Sequence, residues 1–436
     1  MRVQSLALLL LATPLSAQHP VGRMLAEYDR MAAREWWPGF TPQSIPLAIY
    51  DGQRTWLVRH PAPPAEFRPS SEIPGATVAP GQHAAVRGNS RASIGGAETA
   101  TLLWPEGTPD PVRLAGTLLH EAFHVHQGKA RPGWFGNEAV FFTYPVTDAT
   151  AQGLQRLETE AFRRALTRPT MSVCWASRAL ALRDERAARI GPDAIGYERG
   201  NDLNEGLATW VQWRATGAPL DSLIPAAGFR PGDVRLRAYA VGPAQAALLE
   251  RHLPGWPDTL LADSALTVDR LLARALEARS CRADFTPRER DSVAVLAGRE
   301  AAMITGERAA AREAFLARTG WTLTITLPQA QPLWPERFDP WNLTPLAAGE
   351  ALHLRHLKLS GDRGRMEVLD RAALTRPAGA HPLFNGLREV VVAGLPDRPS
   401  IVARGDTLVV QAPGVSGSFT GLVLEETGAA VRLVPR

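Results

Sequence analysis

The segment Thr117-Leu-Leu-His-Glu-Ala-Phe-His-Val-His-Gln127 carries two histidines, His120 and His124, that are four residues apart. Residues at this spacing lie on one face of an α-helix, so both imidazoles can point at a single metal ion. Glu121 projects about 100° around the helix. From there its carboxylate can accept a proton from a water molecule activated by the ion. The spacing therefore predicts a helix that holds a metal site and a general base.

The residues around this pair favour a helix that is buried on one side. Polar or small residues accompany the two histidines, whereas the opposite arc is apolar. That arc contains Leu114, Ala115, Leu118, Leu119, Ala122 and Phe123. His126 falls inside the apolar arc, so it is predicted to be a core residue or a support for a ligand, and not a ligand. The alternative is a surface helix with incidental histidines.

The N-terminus has the pattern of a secretory signal peptide. Arg2 precedes an apolar run from Leu6 to Ala12, and Pro14 and Ala17 follow. This predicts a signal peptide over residues 1–17 with cleavage after Ala17, and an exported protein that is periplasmic or secreted. The apolar run is too short to anchor the chain in a bilayer, so no stable membrane insertion is expected.

Cysteine content and charge add two further expectations. Cys174 and Cys281 are the only cysteines of the chain, so they form either one disulfide or two buried thiols. The net charge is +4, but the arginines are interspersed with acidic residues and form no basic block. The sequence therefore predicts no nucleic-acid partner.

The predicted fold class is α+β, with two domains after the signal peptide. Residues 18–319 are predicted to form a mainly helical domain with a small N-terminal sheet, in which Asp51-Gly52 makes a hairpin turn and Thr99–Leu103 is a strand. The proline-rich stretch Pro61–Pro80 is predicted to be a loop. After Gly320, short strands separated by turn residues replace the helical periodicity. Residues 320–436 are therefore predicted to form a β-rich sandwich or barrel.

A catalytic metal site needs a third protein ligand besides the two histidines. Glu205 is one candidate, because it lies on the polar face of its predicted helix. The small residues Gly206 and Ala208 beside it also permit close approach of another helix. Glu158 is the other candidate, because it lies in an apolar arc, where a carboxylate is either paired or functional. Glu158 is an alternative ligand or a partner that orients a ligand histidine.

The segment Asn204-Glu-Gly-Leu-Ala208 resembles a motif of the gluzincins, the zinc metallopeptidases related to thermolysin and aminopeptidase N. Together with the His-Glu-x-x-His motif, this resemblance implies that Glu205 is the third zinc ligand. Tyr239-Ala-Val-Gly242 resembles a later motif whose tyrosine donates a hydrogen bond to the tetrahedral intermediate. The chain departs from the family in three ways. The stretch from His124 to Glu205 is far longer, Val241 replaces a lysine, and the amine-binding motif is absent.

The sequence thus predicts an exported zinc-dependent metallohydrolase that acts on a peptide or protein. His120, His124 and Glu205 would hold Zn²⁺, Glu121 would act as the general base, and Tyr239 would stabilise the oxyanion. The Thr99–Leu103 strand is expected to align an extended substrate by edge pairing. Two alternatives remain open: a non-catalytic binding protein on a gluzincin scaffold, and a zinc-dependent amidase with a non-peptide substrate. Retention of Glu121 argues against the first.

Overall fold

The computed structural model describes residues 19–277 and 281–436, so the predicted signal peptide lies outside the described residues. The chain divides into two compact units. The first contains the chain up to Gly136 together with Leu154–Thr286, and the second contains Asn137–Gly153 and Pro287–Arg436. This division differs from the predicted one at Gly320. The helix before Gly320 belongs to the second unit because its Phe315 packs in an apolar cluster with Leu352 and Leu374.

The first unit contains the N-terminal sheet, whose strand order is β3-β4-β2-β1-β6-β5. Strands β1 and β6 are parallel, with Leu47 opposite Ala100, and the other neighbours are antiparallel. The strands are β1 (Leu47–Tyr50), β2 (Arg54–Val58), β3 (Arg68–Pro69), β4 (Ala76–Pro80), β5 (Ser90–Ile94) and β6 (Ala97–Leu103). The sheet lies beside the helix that carries the two histidines, because β6 packs against it.

The predicted turn at Asp51-Gly52 joins β1 to β2. The Asp51 carboxylate accepts the backbone N–H groups of Gln53 at 2.9 Å and Arg54 at 2.7 Å. Gly52 has a φ of +98°, which a residue without a side chain adopts at little cost. The local sequence therefore specifies this hairpin.

Two expectations about the sheet are wrong. The stretch Pro61–Pro80 contains β3 and β4, because the chain at Thr77-Val78 pairs with β2 in spite of the prolines around it. In addition, β6 is not an edge strand, since it lies between β1 and β5. The edge on this side of the sheet is β5.

Helices form the rest of the first unit, and one of them, α3, has its residues up to Gly153 in the second unit. They are α1 (Pro20–Ala32), α2 (Pro111–Ala130), α3 (Ala149–Thr167), α4 (Ser172–Asn201), α5 (Leu207–Thr216), α6 (Val234–His252), α7 (Trp256–Ala262) and α8 (Val268–Leu276). Helix α2 packs against α1 and α5. Gly191, with a φ of +84°, interrupts α4 just before Pro192, which has no backbone N–H to donate. Cys174 and Cys281 form a disulfide, and their Cα atoms are 5.2 Å apart.

The second unit contains a β-sandwich. Its first sheet has the strand order β18-β19-β7-β14-β13-β10-β9 and its second has β15-β16-β17-β12-β11-β8. The elements are α9 (Pro287–Leu316), β7 (Trp321–Thr326), β8 (Trp334–Phe338), β9 (Leu343–Pro345), β10 (Ala351–His353), β11 (His356–Gly361), β12 (Gly364–Leu369), β13 (Ala373–Pro377), β14 (Leu387–Leu395), β15 (Ser400–Arg404), β16 (Thr407–Ala412), β17 (Val415–Thr420), β18 (Leu422–Thr427) and β19 (Ala430–Pro435). Inward residues of both sheets share one apolar core, for example Ile325 and Val390 with Leu359 and Phe419.

The α+β fold class is therefore confirmed, with a sheet at the N-terminus, helices in the middle and a sheet-rich C-terminal part. In the part of the chain that the structure describes, no helix is long and apolar enough to cross a membrane.

Candidate metal centre

Helix α2 carries His120, Glu121 and His124. The helix begins at Pro111, where Asp110 caps it by accepting the N–H of Val112 at 3.0 Å. Its apolar arc is buried as predicted, and Leu118, Leu119 and Phe123 have no measurable exposure. Burial of that arc fixes the rotation of the helix, so the histidine face points away from the core residues behind it.

A π-helical turn over Asp202–Gly206 brings Glu205 to the two histidines. Its Oε2 lies 3.1 Å from the Nε2 of His124 and 3.4 Å from the Nε2 of His120. The two histidine nitrogens are 3.0 Å apart. Turns of this kind insert an extra residue into a helix and recur at functional sites. Here the turn directs one carboxylate toward α2 between two ordinary helices, α4 and α5.

These three atoms have the spacing of ligands around one ion. Tetrahedral bonds of about 2.0–2.1 Å place neighbouring ligand atoms roughly 3.3–3.4 Å apart. Two imidazole nitrogens and one carboxylate oxygen form the three-ligand set of an open metal site, which leaves a position for water or substrate. One ligand atom from each of His120, His124 and Glu205 can be chosen so that all three lie within 4.8 Å of one another. The group can therefore hold a metal ion.

The pKa values of these groups follow from burial and from their mutual contacts. Burial lowers the pKa of His120. Burial also acts against a charge on His124 and on Glu205, but the hydrogen bonds and charges around each group together outweigh it. Contacts with Glu205, and with Glu121 and Gln127, raise the pKa of His124. Contacts with His120 and His124 lower the pKa of Glu205 well below its usual range. Burial raises the pKa of Glu121 to about 7.

Gln127 connects the histidine face to the turn that carries Glu205. Its Oε1 lies 2.8 Å from the Nδ1 of His124, and its Nε2 donates to the backbone oxygens of Leu203 at 2.9 Å and Asn204 at 3.1 Å. An amide oxygen accepts a hydrogen bond, so Nδ1 of His124 carries the proton and Nε2 is left to face the ion. Sequence reasoning missed this role of Gln127. Gln127 follows His124 by three residues and lies on the same helix face, so the sequence alone could have predicted this contact.

Arg235 is a second site residue that sequence reasoning missed. Its guanidinium donates to Oε1 of Glu205 at 3.0 Å, while Oε2 of that carboxylate faces the histidines. The arginine therefore fixes the carboxylate in an orientation that offers one oxygen to an ion. Arg235 lies one helical turn before Tyr239 on α6, so the same helix supplies both side chains.

Tyr239 lies beside the metal-binding group. Its ring stacks on that of His120, with the centroids 5.9 Å apart and the planes inclined by 5°. Burial and the nearby charge of Glu205 raise the pKa of Tyr239, so its hydroxyl keeps a proton to donate. A backbone contact places α6 here: a Cβ added to Gly206 would lie 2.7 Å from the Cα of Gly242. The predicted close approach at Gly206 is therefore made by the glycine of the Tyr239–Gly242 motif.

Glu158 lies in a different cluster from the metal-binding group. Its carboxylate accepts hydrogen bonds from Arg183 at 3.2 Å, Arg186 at 2.6 Å and Arg237 at 2.6 Å. Burial acts against its charge, but these three guanidinium groups outweigh burial and lower its pKa. The carboxylate in the apolar arc is thus a paired one, and its described partners are arginines and not a ligand histidine. Asp202, the first residue of the π-helical turn, also binds Arg183, at 2.6 Å. The cluster therefore supports the turn that presents Glu205.

His126, which was predicted not to be a ligand, contacts aromatic rings instead. Its ring centroid lies 5.4 Å from that of Phe40 and 5.7 Å from that of Phe123. The metal-binding group opens onto a cleft of about 500 Å³. The residues lining the cleft include Glu121, His124, Glu205 and Tyr239, together with Arg91, Arg131 and Arg235.

Comparisons of the chain with protein-family models, curated proteins and solved structures gave no match. The fold and the site are therefore interpreted from their own geometry.

Proposed function

We propose that this protein is a zinc-dependent peptidase of the gluzincin type that acts outside the cytoplasm. The observation that carries the proposal is the convergence of His120, His124 and Glu205 on one point, with Glu121 and Tyr239 beside the same cleft. The donor set suits Zn²⁺, which binds imidazole and carboxylate in open sites of catalytic type. When bound, zinc would polarise the scissile carbonyl and lower the pKa of a nearby water molecule.

Glu121 and Tyr239 have different roles in the proposed hydrolysis. Glu121 accepts a proton as the water oxygen attacks the carbonyl carbon, and it returns this proton to the nitrogen as the C–N bond breaks. The products are a carboxylic acid and an amine, and the carboxylate of Glu121 is regenerated. A carboxyl group whose pKa is about 7 is suited to both transfers near neutral pH. Tyr239 donates a hydrogen bond to the oxygen that becomes negative.

The experiment is cleavage of a peptide library by the mature protein, with and without a chelator, and by its Glu121→Gln variant. We expect cleavage that the chelator abolishes and zinc restores. The variant should bind the metal but lack activity, because Glu121 acts on water and not on the ion. Tyr239→Phe should keep the metal and lose about 10²–10³ in turnover.

Three outcomes would contradict the proposal. Loss of metal in Glu121→Gln would make Glu121 a ligand. Chelator-resistant cleavage would place the chemistry elsewhere. Metal binding without cleavage of any peptide would favour a binding protein or an amidase with another substrate.

A further inference from the structure

The cleft beside the metal-binding group is rich in arginine. Arg91, Arg131 and Arg235 line it, whereas its acidic lining residues are Glu121 and Glu205. Glu205 faces the two histidines, and Glu121 lies beside them on α2. A cleft of this composition attracts an anionic group of the substrate toward the site.

The three arginines differ in what they already bind. Arg235 donates to Glu205, and Arg131 donates from its Nη2 to the backbone oxygen of Leu261. The Arg91 side chain is exposed, and its guanidinium makes no hydrogen bond or ion pair with any residue that the structure describes. Arg91 is thus the guanidinium of this cleft that has all its donors available for a ligand.

Helix α2 has a gap that accommodates this guanidinium. Gly128 follows His124 by four residues, the same spacing that separates His124 from His120. A Cβ at Gly128 would collide with Nη1 of Arg91, so the guanidinium occupies the space that the missing side chain leaves. Four residues of helix rise about 6 Å. Arg91 therefore lies about one helical turn beyond His124 on the face that carries the metal-binding group.

This distance sets the length of peptide that fits between the site and Arg91. An extended chain advances about 3.3–3.6 Å per residue. A group that binds Arg91 is then one or two residues from a carbonyl held at the metal-binding group. Arg91 also belongs to β5, an edge strand of the sheet, and edge strands can pair with an extended peptide.

We infer that Arg91 binds a carboxylate of the substrate one or two residues from the scissile bond. This inference rests on the proposed function and names the substrate class for it: peptides with a carboxylate close to the cut. Guanidinium matches carboxylate with two parallel hydrogen bonds, which a neutral amide cannot accept in the same way. The carboxylate has two sources, the C-terminus of a short peptide or an acidic side chain, and the experiment separates them.

The test measures binding to the metal-free protein by titration calorimetry, so it does not depend on turnover. The probes are N-acetylated trialanine with a free C-terminus, the same peptide as its C-terminal amide, and an amidated peptide whose last alanine is replaced by aspartate. We expect wild type to prefer one carboxylate form over the neutral amide by about tenfold or more. The preferred form identifies the source of the carboxylate.

Arg91→Ala should remove this preference, and Arg91→Lys should restore part of it. Gly128→Ala should weaken it too, because the new Cβ displaces the guanidinium without changing any charge. The control is Arg68→Ala, which alters an exposed arginine on β3 at the opposite edge of the same sheet and should keep the full preference.

Equal affinity of wild type for all three probes, including no binding of any at millimolar concentration, would overturn the inference. A preference that survives in Arg91→Ala would overturn it as well. The proposed hydrolysis is judged separately: chelator-sensitive cleavage that shows no preference for carboxylate-bearing peptides would refute the role of Arg91 alone.

Discussion

The contact between Gly206 and Gly242 gives a specific prediction about how the site is assembled. An alanine Cβ at Gly206 would lie 2.7 Å from the Cα of Gly242 and 3.3 Å from the backbone oxygen of Ala238. Ordinary contact begins at 3.4 Å, so α6 and the π-helical turn must separate by about 0.7 Å at this point. Both partners are backbone atoms, which cannot avoid the collision by rotating a side chain.

The expected cost of Gly206→Ala is about 1–3 kcal/mol of unfolding free energy, the usual range for overpacking a buried contact. The separation also moves Tyr239 and Arg235, which α6 carries, away from Glu205. We therefore expect turnover to fall by more than the loss of folded protein explains. Denaturant unfolding measures the first effect, and turnover per folded molecule measures the second.

Gly196→Ala is the matched control, because Gly196 is a helical glycine of α4 whose added Cβ would meet nothing within 4 Å. Alanine there should raise the stability by about 0.5–1 kcal/mol through its better helix propensity. If Gly206→Ala behaved like this control, with unchanged turnover, the close backbone approach and its role in placing Tyr239 would both be refuted.

Four further substitutions test other contacts in the structure. Gln127→Ala should weaken metal binding by about 10–100-fold, because it releases the His124 ring and its tautomer; competition with a chromogenic chelator measures this. Glu158→Gln should cost about 3–5 kcal/mol in denaturant unfolding, since it leaves buried arginines without their counter-charge, and the folded fraction should keep its metal. Glu205→Gln should instead lose stoichiometric metal binding. His353→Gln should remove an acid sensitivity. Burial lowers the pKa of His353 to about 3 from 6.5, because the folded state accommodates only the neutral imidazole. The folded state therefore has its full stability above pH 6.5 and loses stability as the pH falls toward 3. At pH 5 the loss is about 2 kcal/mol, measurable by unfolding at pH 5 and pH 8.

A specific result would contradict each of these predictions. Unchanged metal affinity in Gln127→Ala would mean that Gln127 does not orient His124. Metal loss in folded Glu158→Gln, with metal kept in Glu205→Gln, would exchange the roles of the two glutamates. An equal drop in stability from pH 8 to pH 5 in wild type and His353→Gln would show that another group causes the drop.

The sequence was informative where local rules dominate. The spacing of His120 and His124 and the apolar arc behind them require only helix periodicity, and the structure has that helix with that arc buried. The turn at Asp51-Gly52 likewise depends on neighbouring residues alone. The preference for Glu205 over Glu158 came from a short motif with small neighbours, and the structure brings Glu205 to the histidines.

Features that depend on residues far apart in the chain could not be predicted from the sequence. The apolar arc around Glu158 concealed its partners, because Arg183, Arg186 and Arg237 come from two other helices. The π-helical turn has no propensity signal of its own, since it is fixed by packing against α6. The strands β3 and β4 were missed because proline is read as a loop signal, whereas pairing with β2 outweighed it. Nothing in the sequence singled out Arg91, because its significance depends on contact with Gly128, which is distant in the chain.

We propose that His120, His124 and Glu205 together bind one zinc ion. Anomalous scattering at the zinc absorption edge, from crystals of the mature protein, tests it most directly. Zinc held by these three residues should give one strong peak bonded to Nε2 of both histidines and to Oε2 of Glu205, at about 2.0–2.2 Å. A zinc-loaded protein with no peak at this point, or with its peak on other residues, would show that these residues do not form the zinc site.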